Sequence, residues 1–194
     1  MNKTLCITLG VILVIALWIT GSYNGFVNKQ ESANEALANV EATYQRRADL
    51  IPNLVEVVKG YAKHESQTLE SVIAARARAT QVTIDASNMT PEKIAEFQRA
   101  QGELSQALGK LLAVAESYPD LKASENFRDL QVQLEGTENR INEARQKYNM
   151  KVKEYNSSIR RFPGAFISSS FGFEKMSMFE AEETAKGAPK VNFD

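Results

Sequence analysis

The sequence predicts an all-α protein: one N-terminal transmembrane helix, then an elongated antiparallel bundle of about four long helices, then an extended aromatic tail. Three observations lead there. From Thr4 to Asn28 no residue carries a charged side chain. From Ala33 to Ile159 apolar residues recur at steps of three and four, with no sustained alternation of period two. Beyond Arg161 that periodicity stops while phenylalanine becomes dense, with six of the nine falling there.

The uncharged start is the first element. A helix over Thr4–Asn28 is about 37 Å long at ~1.5 Å per residue, enough to cross a ~30 Å hydrocarbon layer with some tilt. Leu5, Ile12 and Leu17 are candidate anchor residues of its apolar body. Trp18 and Tyr23 are candidate interfacial anchors near its far end, and Lys3 and Lys29 bracket it. A cleaved signal peptide shares the positive start and apolar middle, but the exit WITGSYNG has no A-x-A-like triplet. Cys6 precedes the apolar run, whereas a lipid-carrying cysteine follows one. The positive-inside bias is small and places the N-terminus in the cytoplasm and the soluble part outside, as a single-pass protein. Gly21 and Gly25 match GxxxG, a spacing that lets membrane helices approach closely, although here it sits at the interface.

Removing residues 1–28 leaves roughly 165 residues, one domain's worth. The expected division is an anchor over 1–28, a bundle over 29–164 and a Phe-rich tail over 165–194. The formal net charge is −1, without a basic half, which argues against nucleic-acid binding by phosphate neutralisation. One cysteine allows no intramolecular disulfide.

The bundle helices follow in order. Ala33, Leu37, Val40, Tyr44 and Ile51 form a first stripe. Asp49-Leu50-Ile51-Pro52 then predicts a break or kink, since the residue before proline is pushed away from helical geometry. Anchor and first stripe have no Pro- or Ser-rich linker between them, so one nearly continuous helix as far as Pro52 is expected. A second helix from Pro52 carries Leu54, Val58, Leu69, Val72, Ala75 and Ala79, ending near Asp85–Asn88. Thr90-Pro91-Glu92 is a helix start: cap, first position, acidic first turn. The third helix holds Ile94, Phe97, Gln101, Leu104, Leu108, Leu111 and Ala115, with coiled-coil-like spacing. The fourth, from about Ala123 to Arg161, carries Phe127, Leu130, Leu134, Thr137, Ile141, Tyr148, Val152, Tyr155 and Ile159, and Phe162-Pro163-Gly164 stops it.

Four blocks now resemble one family: TYQRRADLIPNLVEVVKGYAKHE (43–65), ESYPDLKASENFRDLQVQLEGTENRI (116–141), RQKYNMKVKEYNSSIRRFPG (145–164) and FGFEKMSMFE (171–180). They are similar to the LemA family of bacterial membrane proteins. The resemblance covers nearly the whole chain and implies one membrane-spanning helix with a long antiparallel bundle. The family includes a protein implicated in magnetosome membranes. The resemblance implies no catalytic residue. Ser168-Ser169-Ser170 departs from it, where relatives are more apolar, leaving the burial of that stretch open.

The candidate chemistry is sparse. Arg46 and Arg47 lie where the first stripe meets Pro52, and His64 and Glu65 interrupt the second. A charge on a core-facing stripe is costly unless paired. A structural ion-pair network among Arg46, Arg47, Glu56 and Glu65 is expected, with a polar binding site as the alternative. His64 is the only histidine, and no metal-ligand spacing surrounds it. No cofactor and no metal are expected, and no nucleophile, base and orienting group can be assembled. The run Glu138, Arg140, Glu143, Arg145, Lys147 reads as a solvated face. Lys59, Lys63, Arg76 and Arg78 read as scattered surface charge or a basic strip. The tail is the best functional candidate, because disordered tails are poor in aromatics. Phe166, Phe171, Phe173 and Phe179 are candidates either for packing on their own bundle or for contacting a neighbouring subunit or lipid.

The expected function is a non-enzymatic membrane-anchored scaffold or interaction protein of the bacterial envelope. Its expected partners are the bilayer, through the N-terminal helix, further copies of itself as a homo-oligomer, and other membrane proteins. The alternative is an accessory or signalling factor that binds a protease, transporter or sensor.

Overall fold

The computed structural model describes residues 3–84 and 89–180. Among them are six helices and no strand: α1 Lys3–Tyr61, α2 Ser66–Gln81, α3 Pro91–Ala115, α4 Pro119–Ala123, α5 Glu125–Arg160 and α6 Gly164–Ser170. The all-α architecture expected from the pattern is therefore present. The second helix ends at Gln81, short of the expected Asp85–Asn88, which lies outside the described residues.

α1 is the organising element. Its 59 residues span about 88 Å at ~1.5 Å each. Its first part includes a window of mean hydropathy 2.3, none of it buried against the rest of the chain. That stretch is long and apolar enough to cross a membrane. The helix does not break at residue 28. One helix face becomes a core stripe instead, beginning with Phe26, Ala33, Leu37, Val40 and Tyr44.

The expected break at Pro52 is absent, and α1 runs through it to Tyr61. Proline lacks the N–H that would reach the carbonyl four residues back, so the Ala48 oxygen loses its helical partner. Arg76 on α2 replaces it, with Nε donating to the Ala48 oxygen at 2.8 Å. Ile51 and Leu54, both fully buried, hold the flanking turns in the core. The chain turns at Ala62–Glu65 instead. There Ala62 N–H still bonds Val58 O at 2.8 Å, and Glu65 N–H bonds Ala62 O at 3.1 Å.

α3 starts as its sequence dictates. The Thr90 side chain accepts from Lys93 N–H at 3.3 Å, and Pro91 occupies the first turn. α1 lies antiparallel along α5, and α2 along α3. The core runs along the rod in three levels. Farthest from the apolar start, four helices enclose Leu54, Val58, Val72, Leu104, Leu111 and Leu134. A middle level joins Val40, Tyr44, Phe97, Ile141 and Tyr148. Nearest the apolar start only α1 and α5 continue, with Phe26 packed against Tyr155, Ile159 and α6's Ile167.

The α2–α3 hairpin is thus shorter than the α1–α5 pair. From Phe26 to Val40 the pair extends as a two-helix stem about 21 Å long. Two helices alone leave one seam of apolar side chains uncovered. The chain after α6 returns along that seam. α6 ends in a Schellman turn: Gly172 adopts φ 74°, and Phe173 N–H reaches the Ser168 oxygen at 2.9 Å. Residues 173–180 then run extended for about 23 Å at ~3.3 Å per residue, matching the stem.

Candidate functional site

The strap formed by residues 173–180 is held chiefly through its backbone. Asn156 donates Nδ2 to the Met176 oxygen at 2.8 Å and accepts from Met176 N–H at 2.9 Å. Asn149 does the same to Phe179, with bonds of 2.8 and 2.9 Å. Tyr155 donates its hydroxyl to the Glu174 oxygen at 2.9 Å, and Tyr148 to the Ser177 oxygen at 2.8 Å. Arg145 and Gln98 both donate to the Glu180 oxygen, at 2.7 and 2.9 Å.

The register has a simple origin. Tyr148-Asn149 and Tyr155-Asn156 are seven residues apart, two helical turns or about 10.5 Å. Their strap partners are three residues apart, about 10 Å of extended chain. A Tyr-Asn pair repeated at seven on a helix therefore meets an antiparallel strand at every third residue. Because the contacts go to N–H and C=O groups, they fix the strap's course with little regard to its side chains. Burial raises the Tyr148 phenol above its ordinary value. Burial, with the Glu174 carboxylate nearby, does so for Tyr155.

The candidate tail residues divide into two groups. Phe179 is buried, its ring 5.3 Å from Tyr148 and 6.4 Å from Phe97, with the Arg145 guanidinium 5.5 Å from its centroid. Phe173 is half-buried and meets Tyr23 and Phe26 edge-on, at 5.4 and 5.5 Å. Phe166 and Phe171 stay exposed. Ser168 is buried despite its polarity. Its Oγ donates to the Ile159 oxygen at 2.7 Å, satisfying one of the last carbonyls of α5. Ser169 and Ser170 are exposed. Phe193 lies outside the described residues.

Arg47 is the second concentration of polar chemistry. It is 2% exposed, and its partner is neither Glu56 nor Glu65. Nη1 donates to Glu138 Oε2 at 3.0 Å and to Ser105 Oγ at 2.9 Å; Nη2 donates to Gln101 Oε1 at 2.6 Å. Gln101 in turn donates to the Ala79 oxygen at 3.2 Å. The node thereby ties α1, α2, α3 and α5 together, and the guanidinium lies 5.2 Å from the Tyr44 ring centroid. Its Nε has no hydrogen-bond partner among the described residues.

The expected partners are engaged elsewhere. Arg46 is exposed, Glu56 pairs with Lys59 at 3.8 Å, and Glu65 accepts from the Tyr118 hydroxyl at 3.1 Å. That hydrogen bond raises the Tyr118 phenol. The geometry explains the difference: Glu56 points to solvent, whereas Glu138, on α5, faces Arg47. Nor is the basic strip free, since Arg76 bonds Ala48 and Arg78 pairs with Glu103 at 3.2 Å. His64 and Cys6 are exposed, and among the described residues no group of His, Cys, Asp and Glu side chains is placed to hold a metal ion.

Comparison with known proteins assigns the family. The family model described as "LemA family" matches residues 36–193. That range holds α1 from residue 36 onward, α2, α3 and α5, the Arg47 node and the strap. The chain belongs to the LemA family. It is similar to Magnetosome protein MamQ of Magnetospirillum gryphiswaldense, 25% identical over 190 residues, covering 87% of this chain and 68% of the relative. It resembles Magnetosome protein MamQ 2 of Paramagnetospirillum magneticum at 26% over 204 aligned positions, covering 94% and 73%. Protein LemA of Metamycoplasma hominis is 22% identical over 177 residues, covering 91% and 76%. None of these names is that of an enzyme. Family membership and the apolar start of α1 together support a membrane-associated helical protein.

Within this LemA-family chain the clamp asparagines escaped sequence reading. Tyr148 and Tyr155 fall on the core stripe, but Asn149 and Asn156 sit one position off it and read as surface. The available signal was the repeated Tyr-Asn dipeptide at a spacing of seven. Arg145 and Glu138 were likewise absorbed into a charge run, yet Arg145 is buried against the strap and Glu138 meets Arg47.

Proposed function

We propose that this protein is a membrane-anchored scaffold of the bacterial envelope that works by self-assembly and partner binding, without catalysis. Residues 1–28 act as a single-pass anchor in the cytoplasmic membrane, with the rod on the extracytoplasmic side. The described residues of the bundle over 29–164, and of the tail from 165 to 180, present a rigid surface. The observation that carries this reading is the continuity of α1, from the apolar stretch into the four-helix core. An unbroken helix transmits the direction of the anchor to the rod, as a scaffold requires and a flexible tether would not. The Arg47 node fits the same role, because the bonds of its two terminal nitrogens fix the relative register of four helices.

In-membrane photocross-linking from exposed rod positions such as Val132 and Ile73, followed by mass spectrometry, tests this. Self-adducts as the main product are expected. One dominant foreign membrane protein with no self-adducts would replace the scaffold reading with that of an accessory factor.

A further inference from the structure

Three large aromatic side chains lie open on α6 and its flanks. Phe162 is 81% exposed, Phe166 69% and Phe171 56%, and the rings of Phe162 and Phe166 meet edge-on at 6.0 Å. Surface patches of this kind are uncommon on soluble domains. Their position along the rod is fixed by α1. The Phe171 ring lies 5.2 Å from Tyr23, and Phe162 shares a cleft with Trp18 and Gly25. Gly164 permits this approach: a Cβ there would lie 2.9 Å from the Phe26 ring and 3.1 Å from the Ser158 oxygen.

If the apolar stretch enters the bilayer at Leu5, ~30 Å of hydrocarbon ends near Asn24. The three phenylalanines thus stand level with its last turns, where aromatic side chains favour the boundary between acyl chains and headgroups. Cations lie beside them, with Lys29 and Arg161 lining the same cleft as Phe162. Lys153, Arg160, Arg161 and Lys175 line one cleft, and Lys29 joins Lys153 and Arg161 in a second. Among the described residues none of the five forms an ion pair. Glu154, the acidic member of the second cleft, pairs with Lys151 at 3.6 Å. Lys29 lies about five residues, ~8 Å, beyond the hydrocarbon edge, the depth of lipid phosphates.

We propose that α6 and its flanks form a second membrane contact, in which Phe162, Phe166 and Phe171 enter the boundary region and the cationic cluster binds anionic headgroups. The partner is the bilayer that α1 crosses, since the patch is continuous with that helix and its charge complements an acidic surface. This contact clamps the stem at a fixed tilt and accounts for aromatics that the strap does not bury.

The inference rests on α1 crossing the bilayer, and the two can be separated experimentally. The full chain, with Cys6→Ser and a nitroxide on Ser169→Cys, is reconstituted into phosphatidylcholine vesicles with and without phosphatidylglycerol. Label accessibility to oxygen and to a water-soluble relaxant reports depth, while resistance to alkaline extraction reports α1 insertion independently. Boundary-depth accessibility in anionic vesicles is expected. The oxygen-to-relaxant ratio should fall several-fold in neutral vesicles, in Arg160→Gln/Arg161→Gln, and in Phe162→Ser/Phe166→Ser/Phe171→Ser. Unchanged helicity and melting keep the variants interpretable. Free aqueous accessibility in anionic vesicles, with extraction resistance intact, overturns the proposal. A label shielded from both reagents also overturns it and assigns the patch to protein–protein contact.

Discussion

Replacing Asn149 with alanine removes the two bonds to Phe179, and replacing Asn156 removes the two to Met176. A net hydrogen bond contributes about 1 kcal/mol, so each side chain contributes about 2 kcal/mol at most. Both pairs are only partly buried and water will replace some of this, giving an expected loss of about 1–2 kcal/mol per asparagine. The strap is one short extended segment over a continuous helix, so it should open as a unit. Either substitution should then lower the exchange protection of both the Met176 and the Phe179 amides, by roughly 5- to 30-fold at about 1.4 kcal/mol per decade. Native-state hydrogen exchange of the full chain in nanodiscs reads this directly, with Gln146→Ala, exposed on the same helix, as a control. If Asn149→Ala deprotects Phe179 alone and leaves Met176 at its original protection, the strap is not cooperative. If neither amide changes, the asparagine clamp contributes nothing and the strap is held by Phe179 and the Tyr148, Tyr155, Arg145 and Gln98 bonds.

Other outcomes follow from the same contacts. Arg76→Ala should cost about 1 kcal/mol by orphaning the Ala48 oxygen, and Pro52→Ala should shrink that cost by restoring the helical donor; a double-mutant cycle in chemical denaturation with no coupling would separate the two residues. Arg47→Ala should destabilise by about 3 kcal/mol, since it strips the buried Gln101 Oε1 of its donor and opens a cavity, while Arg47→Met, which also removes the charge, should cost less because it refills that space; equal costs would mean that the packing of the Arg47 stem is immaterial and the loss lies in the polar contacts. Burial holds the Tyr148 phenol above the ordinary value of 10.0. Its contribution is therefore fully present below about pH 10 and lost as pH rises further, because the unfolded phenol ionises first. Tyr148→Phe should flatten the alkaline decline in unfolding free energy, and an unchanged slope would contradict this.

What could be read from the sequence was what is local. Thr90-Pro91-Glu92 announced α3 because cap, proline and acidic first turn act within four residues. The stripes of α3 and α5 gave their buried faces because long helices repeat the same test many times. Pro52 misled for a physical reason: the local rule counts a lost hydrogen bond, and the replacement donor sits on Arg76, a helix away. Arg47 was legible as a buried charge needing a partner, but Glu138 is 91 positions distant and nothing local distinguishes it from Glu56 or Glu65. The tail's aromatic content signalled docking. Which rings dock depends on the stem left bare by the short α2–α3 hairpin, a consequence of helix lengths in three dimensions. That same bareness explains why Phe173 and Phe179 turn inward while Phe166 and Phe171 do not.

The central claim is that anchor and rod are one rigid helix. Spin labels at Thr20 and Ala42, both exposed on α1, are 22 residues apart, about 33 Å along a continuous helix and nearly on one face. Pulsed dipolar spectroscopy of the full chain, magnetically diluted with unlabelled protein in lipid nanodiscs, measures that separation. A single narrow distribution centred near ~33 Å is the expected result. A broad or multimodal distribution, with substantial population at shorter distances, would show a hinge between them and contradict the claim.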